Sequence, residues 1–246
     1  MKVVSTVKTR TKFVLSGILI FVFGLLSVGS LYVSNQKTVD ASLNNPEYKT
    51  VIIDAGHGGV DGGTSADDGT VEKDLNLQIA LKLNEFLKSM GVNTILVRDS
   101  DKSIHDDTAT TIRQKKVSDL KNRLSIINNT EDSVFVSIHQ NHYGDSKYRG
   151  TQVFYSKNNP QSLKLAECIR MPVVSYLQPE NTREIKQSGS EIYLLYHAQA
   201  PSVMVECGFL SNPEDTKQLK DEKYQQKLAF IISLGIIDYF GKTEDL

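Results

Sequence analysis

The stretch Val51-Ile52-Ile53-Asp54-Ala55-Gly56-His57-Gly58-Gly59 joins a β-branched run to a loop built on glycine. Lys49 to Asp54 has the composition of a short buried strand. The loop glycines, with Gly62 and Gly63 further on, let the chain turn sharply and let a ligand come close to the backbone. Working outward, Leu75, Ile79, Leu83, Phe86, Leu87 and Met90 recur at helical spacing until Gly91 ends the helix. Val92 to Arg98 reads as the next strand, and Val117, Leu120, Leu124 and Ile127 mark a second helix. Val134 to His139 and Thr151 to Tyr155 read as strands. Leu163 to Leu177 is predicted to be a helix interrupted at Pro172, which lacks an N–H and clashes with the preceding turn. Ser202 to Cys207 is a further strand, Asn212-Pro213-Glu214 opens a helix, and a last helix runs from about Tyr224 to Phe240. This alternation predicts one α/β domain over residues 49–241, with a mostly parallel sheet covered by helices on both faces, and a tail at 242–246. In such sheets, sites form beyond the carboxyl ends of the strands.

Composition limits what else the chain can do. With 246 residues and a formal charge of -1, it has no global field to recruit nucleic acid. Function therefore has to come from a local site. Cys168 and Cys207 are the only cysteines and are far from Cys-x-x-Cys spacing, so they read as buried thiols and not as metal ligands, with a disulfide as the minor alternative if the domain lies outside the cytoplasm.

The N-terminus carries a second signal. Phe13 to Val33 is apolar and uncharged, preceded by Lys2, Lys8, Arg10 and Lys12. As a helix rising about 1.5 Å per residue it spans a hydrocarbon core about 30 Å thick. The basic flank keeps residues 1–12 in the cytoplasm and places the chain beyond Val33 on the other side. Residues 13–33 are thus a signal anchor or a signal peptide. Val39-Asp40-Ala41 is a poor cleavage site and Ser27-Val28-Gly29-Ser30 only a fair one, which favours the anchor. Residues 34–48 are polar and without apolar period, as in a tether.

His57 comes just after the first strand, Glu72 opens the next helix, His139 ends a central strand, and Glu206 lies near the end of a late one. Two histidines and two glutamates at such positions have the makings of a zinc site: two or three hold the metal and another serves as base. A catalytic zinc takes three protein ligands, leaves a fourth position for water, and lowers that water's pKa to about 7. A carboxylate that does not bind the metal then moves the proton to the leaving group; Glu206 is the residue chosen for that role. His142 reads as a pocket or surface residue despite its closeness to His139, and His105 and His197 read as solvated.

Asp54-Ala55-Gly56-His57-Gly58-Gly59, Glu72-Lys73-Asp74, Ser137-Ile138-His139-Gln140-Asn141 and Val205-Glu206-Cys207-Gly208-Phe209-Leu210-Ser211-Asn212 resemble the motifs of the zinc-dependent N-acetylmuramoyl-L-alanine amidases, in the same order. The resemblance implies Zn2+ held by His57, Glu72 and His139, with Glu206 as catalytic carboxylate. The implied reaction is hydrolysis of the amide between the lactyl group of N-acetylmuramic acid and the L-alanine of the peptidoglycan stem peptide. The chain departs from the family pattern at Ala55, where proline is common, and at Gln140, where a small residue is common.

Gly58-Gly59-Val60-Asp61-Gly62-Gly63, Asp119-Leu120-Lys121-Asn122-Arg123 and Glu180-Asn181-Thr182-Arg183 are similar to the germination-specific sporulation amidases of endospore-forming bacteria. That subgroup implies action on spore cortex, in the muramic-δ-lactam pathway with a muramic acid deacetylase, and a location on the wall side or in the forespore intermembrane space. An activating protein is a further expected partner. Gln140, Asn141, Arg123 and Arg183 are the candidate substrate-binding residues, and the alternative for either arginine is a packing or surface salt bridge. A competing reading is a catalytically silent, membrane-tethered module that binds peptidoglycan or a partner through the same fold. A zinc peptidase or carbohydrate deacetylase is a third, which its products would distinguish.

Overall fold

The computed structural model describes residues 50–243. The expected basic segment, membrane segment and tether at 1–12, 13–33 and 34–48 lie outside them. Among the described residues no helix is long and apolar enough to cross a membrane. The elements are β1 (Thr50–Ala55), α1 (Glu72–Ser89), β2 (Asn93–Leu96), α2 (Ile112–Asn128), β3 (Ser133–Asn141), β4 (Gln152–Tyr155), α3 (Gln161–Tyr176), β5 (Lys186–Gln187), α4 (Tyr193–His197), β6 (Ser202–Phe209), α5 (Pro213–Lys220) and α6 (Glu222–Thr243). The last helix thus continues into the segment expected as a tail.

The sheet runs β2-β1-β3-β6-β4-β5. β2, β1, β3 and β6 are mutually parallel, as the alternation of strands and helices requires. β4 is antiparallel to β6, and β5 pairs parallel to β4, so the sheet is mixed. Alternate residues divide the core. Val51, Ile53, Val136, Ile138, Val203 and Val205 face α1, α3 and α6 through Ile79, Leu165, Ile169 and Ile232. Ile52, Phe135 and Met204 face α2 and α4 through Ile127, Leu194 and Leu195. Each such fully buried side chain contributes about 1.5–3 kcal/mol of transfer free energy.

Pro172 does not interrupt α3, contrary to the sequence expectation: the helix is continuous from Gln161 to Tyr176. A proline inside a helix deprives the carbonyl four residues back of its donor, here that of Cys168. That carbonyl lies against α6 at Gly235, where a Cβ would come within 2.5 Å of it and within 2.6 Å of Ile169 Cα. The proline-bearing turn is covered by a helix that approaches at backbone distance, which only glycine permits. Both cysteines are buried and free, and burial together with the nearby Asp238 charge pushes the Cys168 thiol up to about 11.

Gly235→Ala is expected to force α3 and α6 apart and cost about 1–3 kcal/mol. Gly241→Ala, in the same helix with open space around it, should be neutral or stabilise by up to ~1 kcal/mol. Urea denaturation of the two variants checks this; equal midpoints would show that the close approach at Gly235 is not a packing constraint.

Candidate active site

The site sits at the carboxyl ends of β1, β3 and β6. After β1 the chain enters the glycine loop, and two buried arginines hold its carbonyls. Arg98 Nε and Arg123 Nη1 both donate to Ala55 O, Arg98 Nη2 donates to Gly56 O, and Arg123 Nη2 donates to His57 O. Arg123 also pairs with Asp54 and, through Nε at 2.6 Å, with Asp119. Its guanidinium is committed to the protein on every nitrogen, so Arg123 holds the loop from beneath and is the packing arginine of the two alternatives. Burial would raise the Asp54 carboxyl, but the Arg123 charge and the Ser137 hydroxyl outweigh it and hold Asp54 below the ordinary carboxylate range.

So held, His57 takes a left-handed φ of 62°, a strained conformation for a residue with a Cβ, of the kind that persists where surroundings enforce it. Its Nδ1 is 2.9 Å from Asp61 Oδ2, which fixes the ring and leaves Nε2 toward Glu72 at 3.3 Å. Glu72 opens α1 without a capping side chain before it. Loop carbonyls do that work: Glu72 N donates to Thr64 O and Lys73 N to Gly62 O. The Glu72 carboxylate at this helix start is buried and receives Thr64 N on Oε2 and Gln140 N on Oε1, with Asn76 Nδ2 at 3.3 Å. His139 Nδ1 completes the set at 2.9 Å from Glu72 Oε1. Gly56 passes directly under the His139 ring, and a Cβ there would collide with it.

His57, Glu72 and His139 therefore each offer a ligand atom, all within 4.8 Å of one another. Two imidazoles and one carboxylate, with His57 oriented by Asp61 and Glu72 by the Thr64 and Gln140 N–H groups, match the donor set of a catalytic zinc with an open position. Burial alone would depress His57, but its bonds to Asp61 and Glu72 raise it to about 9. Glu72 is held far below the ordinary range, because the two histidines outweigh its burial.

Glu206 stands beside this cluster as the register partner of His139. Its Oε2 is buried without a hydrogen-bond partner. Burial pushes the group up to about 7; His139 and His57 oppose the shift and the Glu72 charge adds to it. Among the other candidates, Gln140 is buried behind Glu72 with its side chain on Asn76. Asn141 and Arg183 line one cavity together with Gln152, Phe154, Lys186 and Phe209. His142 and His197 are exposed, and His105 lies beside Ser103 in a loop.

Sequence reasoning does not single out Arg98, Asn76 or Thr64, and it reaches Asp61 only as part of a glycine motif. Arg98 carries no signal because it closes an apolar strand. Asp61 has a faint one, as a carboxylate four residues after a histidine inside a loop.

The profile of the N-acetylmuramoyl-L-alanine amidases matches residues 51–238. The chain is similar to the germination-specific N-acetylmuramoyl-L-alanine amidase of Bacillus subtilis (strain 168), at 34% identity over 197 residues, covering 80% of this chain and 82% of that one. Among solved structures it is similar to the CwlD amidase from Clostridioides difficile in complex with the GerS lipoprotein, at 45% identity and a TM-score of 0.76, covering 79% of this chain and 99% of that one. An N-acetylmuramoyl-L-alanine amidase from Clostridium difficile 630 is similar at 33% identity and a TM-score of 0.68, covering 79% and 98%. With its histidines and glutamates gathered at the strand ends and this match across the domain, the chain belongs to the N-acetylmuramoyl-L-alanine amidase family.

Proposed function

We propose that this amidase is zinc-dependent, with His57, Glu72 and His139 as metal ligands and Glu206 as general base. The observation that carries the reading is the buried, unpartnered Oε2 of Glu206 next to a converging His-Glu-His set. Bound zinc would polarise the lactyl carbonyl and lower the pKa of the attacking water. Glu206 takes the proton from that water and returns it to the alanine nitrogen as the amide breaks. Its position near pKa 7 suits both transfers at neutral pH. Asp61 keeps Nε2 of His57 directed inward, and Gln140 contributes its backbone N–H to hold Glu72. Asn141 and Arg183 are positioned for substrate.

The physiological role we infer is cortex maturation in the muramic-δ-lactam pathway, paired with a muramic acid deacetylase. The germination-specific relative supports it. The solved complex of a relative with the GerS lipoprotein supports a protein partner for this chain, which we take to be an activator. Cell-wall amidases act outside the cytoplasm, and residues 13–33 are proposed to anchor the chain there.

The full chain with zinc and purified peptidoglycan is expected to expose new N-terminal L-alanine. Glu206→Gln should lower the rate by about 10²–10⁴. Release that survives chelation, or that Glu206→Gln leaves at full rate, would sink the assignment.

Stability gives a separate check. The folded pKa of Glu206 lies above its ordinary 4.5, so folding favours the neutral form. Its contribution is fully present below the ordinary value and is lost as pH rises through about 7. The loss is on the order of 3 kcal/mol. Metal-free Glu206→Gln should therefore melt higher than the parent at pH ~8 and no higher at pH ~5, read by thermal unfolding. An unchanged difference between the two pH values would mean that Glu206 is not held neutral by burial.

A further inference from the structure

A cavity of about 270 Å³ is lined by Gln152 and Phe154 of β4, by Asn141 at the end of β3 and by Phe209 at the end of β6. Gln152 on β4 is the register partner of Glu206, so the two side chains share a face of the sheet. Gln152 Nε2 donates to Glu184 O, which ties down the segment leading into β5. On that segment are Arg183 and Lys186, and Lys186 pairs with Phe154 across β4 and β5. Both cations line the cavity together with Asn141, Phe154 and Phe209.

The charge of this cavity is one-sided, since its lining contains Arg183 and Lys186 and no acidic residue. Arg183 lies over Phe209, 4.5 Å from the ring centroid, with Tyr148 at 5.7 Å on another side. Its Nε donates to Arg149 O. The carboxylate of Glu184, between the two cations in sequence, turns away to Arg170. A guanidinium stacked and oriented in this way is ordered for planar recognition of an anion.

The chemistry of the reaction says which part of the substrate that anion belongs to. The lactyl carboxyl of the sugar is consumed in the scissile amide and the N-acetyl groups are neutral, so negative charge near the reacting bond resides on the stem peptide. A residue placed after L-alanine and joined onward through its side-chain carboxyl keeps a free α-carboxylate. Two residues of extended chain reach about 7 Å. Two strand spacings separate β6 from β5 by about 10 Å, and the arginine and lysine side chains close the difference.

We infer that Arg183 and Lys186 form the peptide-side subsite and bind the free α-carboxylate of the residue next to L-alanine. The enzyme thereby distinguishes stems that carry a carboxylate at that residue from stems that carry a carboxamide. This rests on the amidase reading above and adds the direction in which the peptide lies, over β4 and β5.

The test uses two synthetic muramoyl peptides that differ only in carboxylate or carboxamide at the second residue, with the full chain and zinc. The carboxylate form is expected to have a kcat/KM about 10- to 100-fold higher, the range for charge-assisted bidentate binding. Lys186→Gln should reduce that ratio by about tenfold. Lys186 is exposed, so this variant carries the test if Arg183→Gln fails to fold. Equal kcat/KM for the two substrates, or a Lys186→Gln variant that slows both alike, overturns the assignment. If neither substrate is cleaved, as an unmet need for the proposed activator would also give, the subsite is judged by calorimetric binding of the two compounds to Glu206→Gln. Tighter binding of the carboxylate supports it, and equal binding overturns it.

Discussion

The loop that carries His57 depends on a buried charge pair. Asp54 and Arg123 are almost completely removed from solvent, where an unpaired charge would be costly. Desolvation costs several kcal/mol per ion, and only close pairing with further hydrogen bonds offsets it. Ser137, Asp119 and the carbonyls of Ala55 and His57 supply those bonds. The return on this arrangement is positional more than energetic. With Arg98 on the other side, three successive carbonyls are fixed, and His57 is held at a backbone angle it would not choose. A carbonyl chain fastened in this way can present an imidazole with little freedom, which is what pre-organised chemistry requires.

Two glutamates share this pocket and are driven in opposite directions. Glu72 receives backbone N–H groups from Thr64 and Gln140 and faces both histidines, so its charged form is stabilised despite burial. Glu206 has the same chemistry with one oxygen orphaned and a like charge close by, so burial prevails and the group is raised. One environment suits a permanent ligand and the other a group that trades protons near neutrality. The separation is a consequence of topology. Glu72 sits on a helix start capped by loop carbonyls, whereas Glu206 stands in a strand, where its backbone is already committed to the sheet.

Much of this is legible in the sequence. The first, third and sixth strands, the helices after the first and the sixth, and the four residues His57, Glu72, His139 and Glu206 can be located because each stands where hydrophobic periodicity breaks. The reversal of β4 is not legible, since a run of four residues reads the same in either direction. β5 is two residues long and α4 only five, too short to leave a period. At Pro172 the local rule for proline is overridden by a helix far away in sequence that closes over it at Gly235. Arg123 is visible, but whether it faces substrate or Asp54 depends on a contact 69 residues distant.

The reversal that escapes the sequence is also what gives the site two unlike halves. Parallel strands place their carboxyl ends together, so β1, β3 and β6 gather His57, His139 and Glu206 on one edge, where the start of α1 adds Glu72. A parallel β4 would have brought another loop of the same kind there. Running antiparallel, β4 instead begins at that edge, with Gln152 opposite Glu206, and leads away to β5 and the two cations. The His57-Glu72-His139 cluster is thus made of two strand ends and a helix start, and the groove next to it of strand faces. One holds its side chains within hydrogen-bond distance of each other; the other is the extended surface proposed for the peptide.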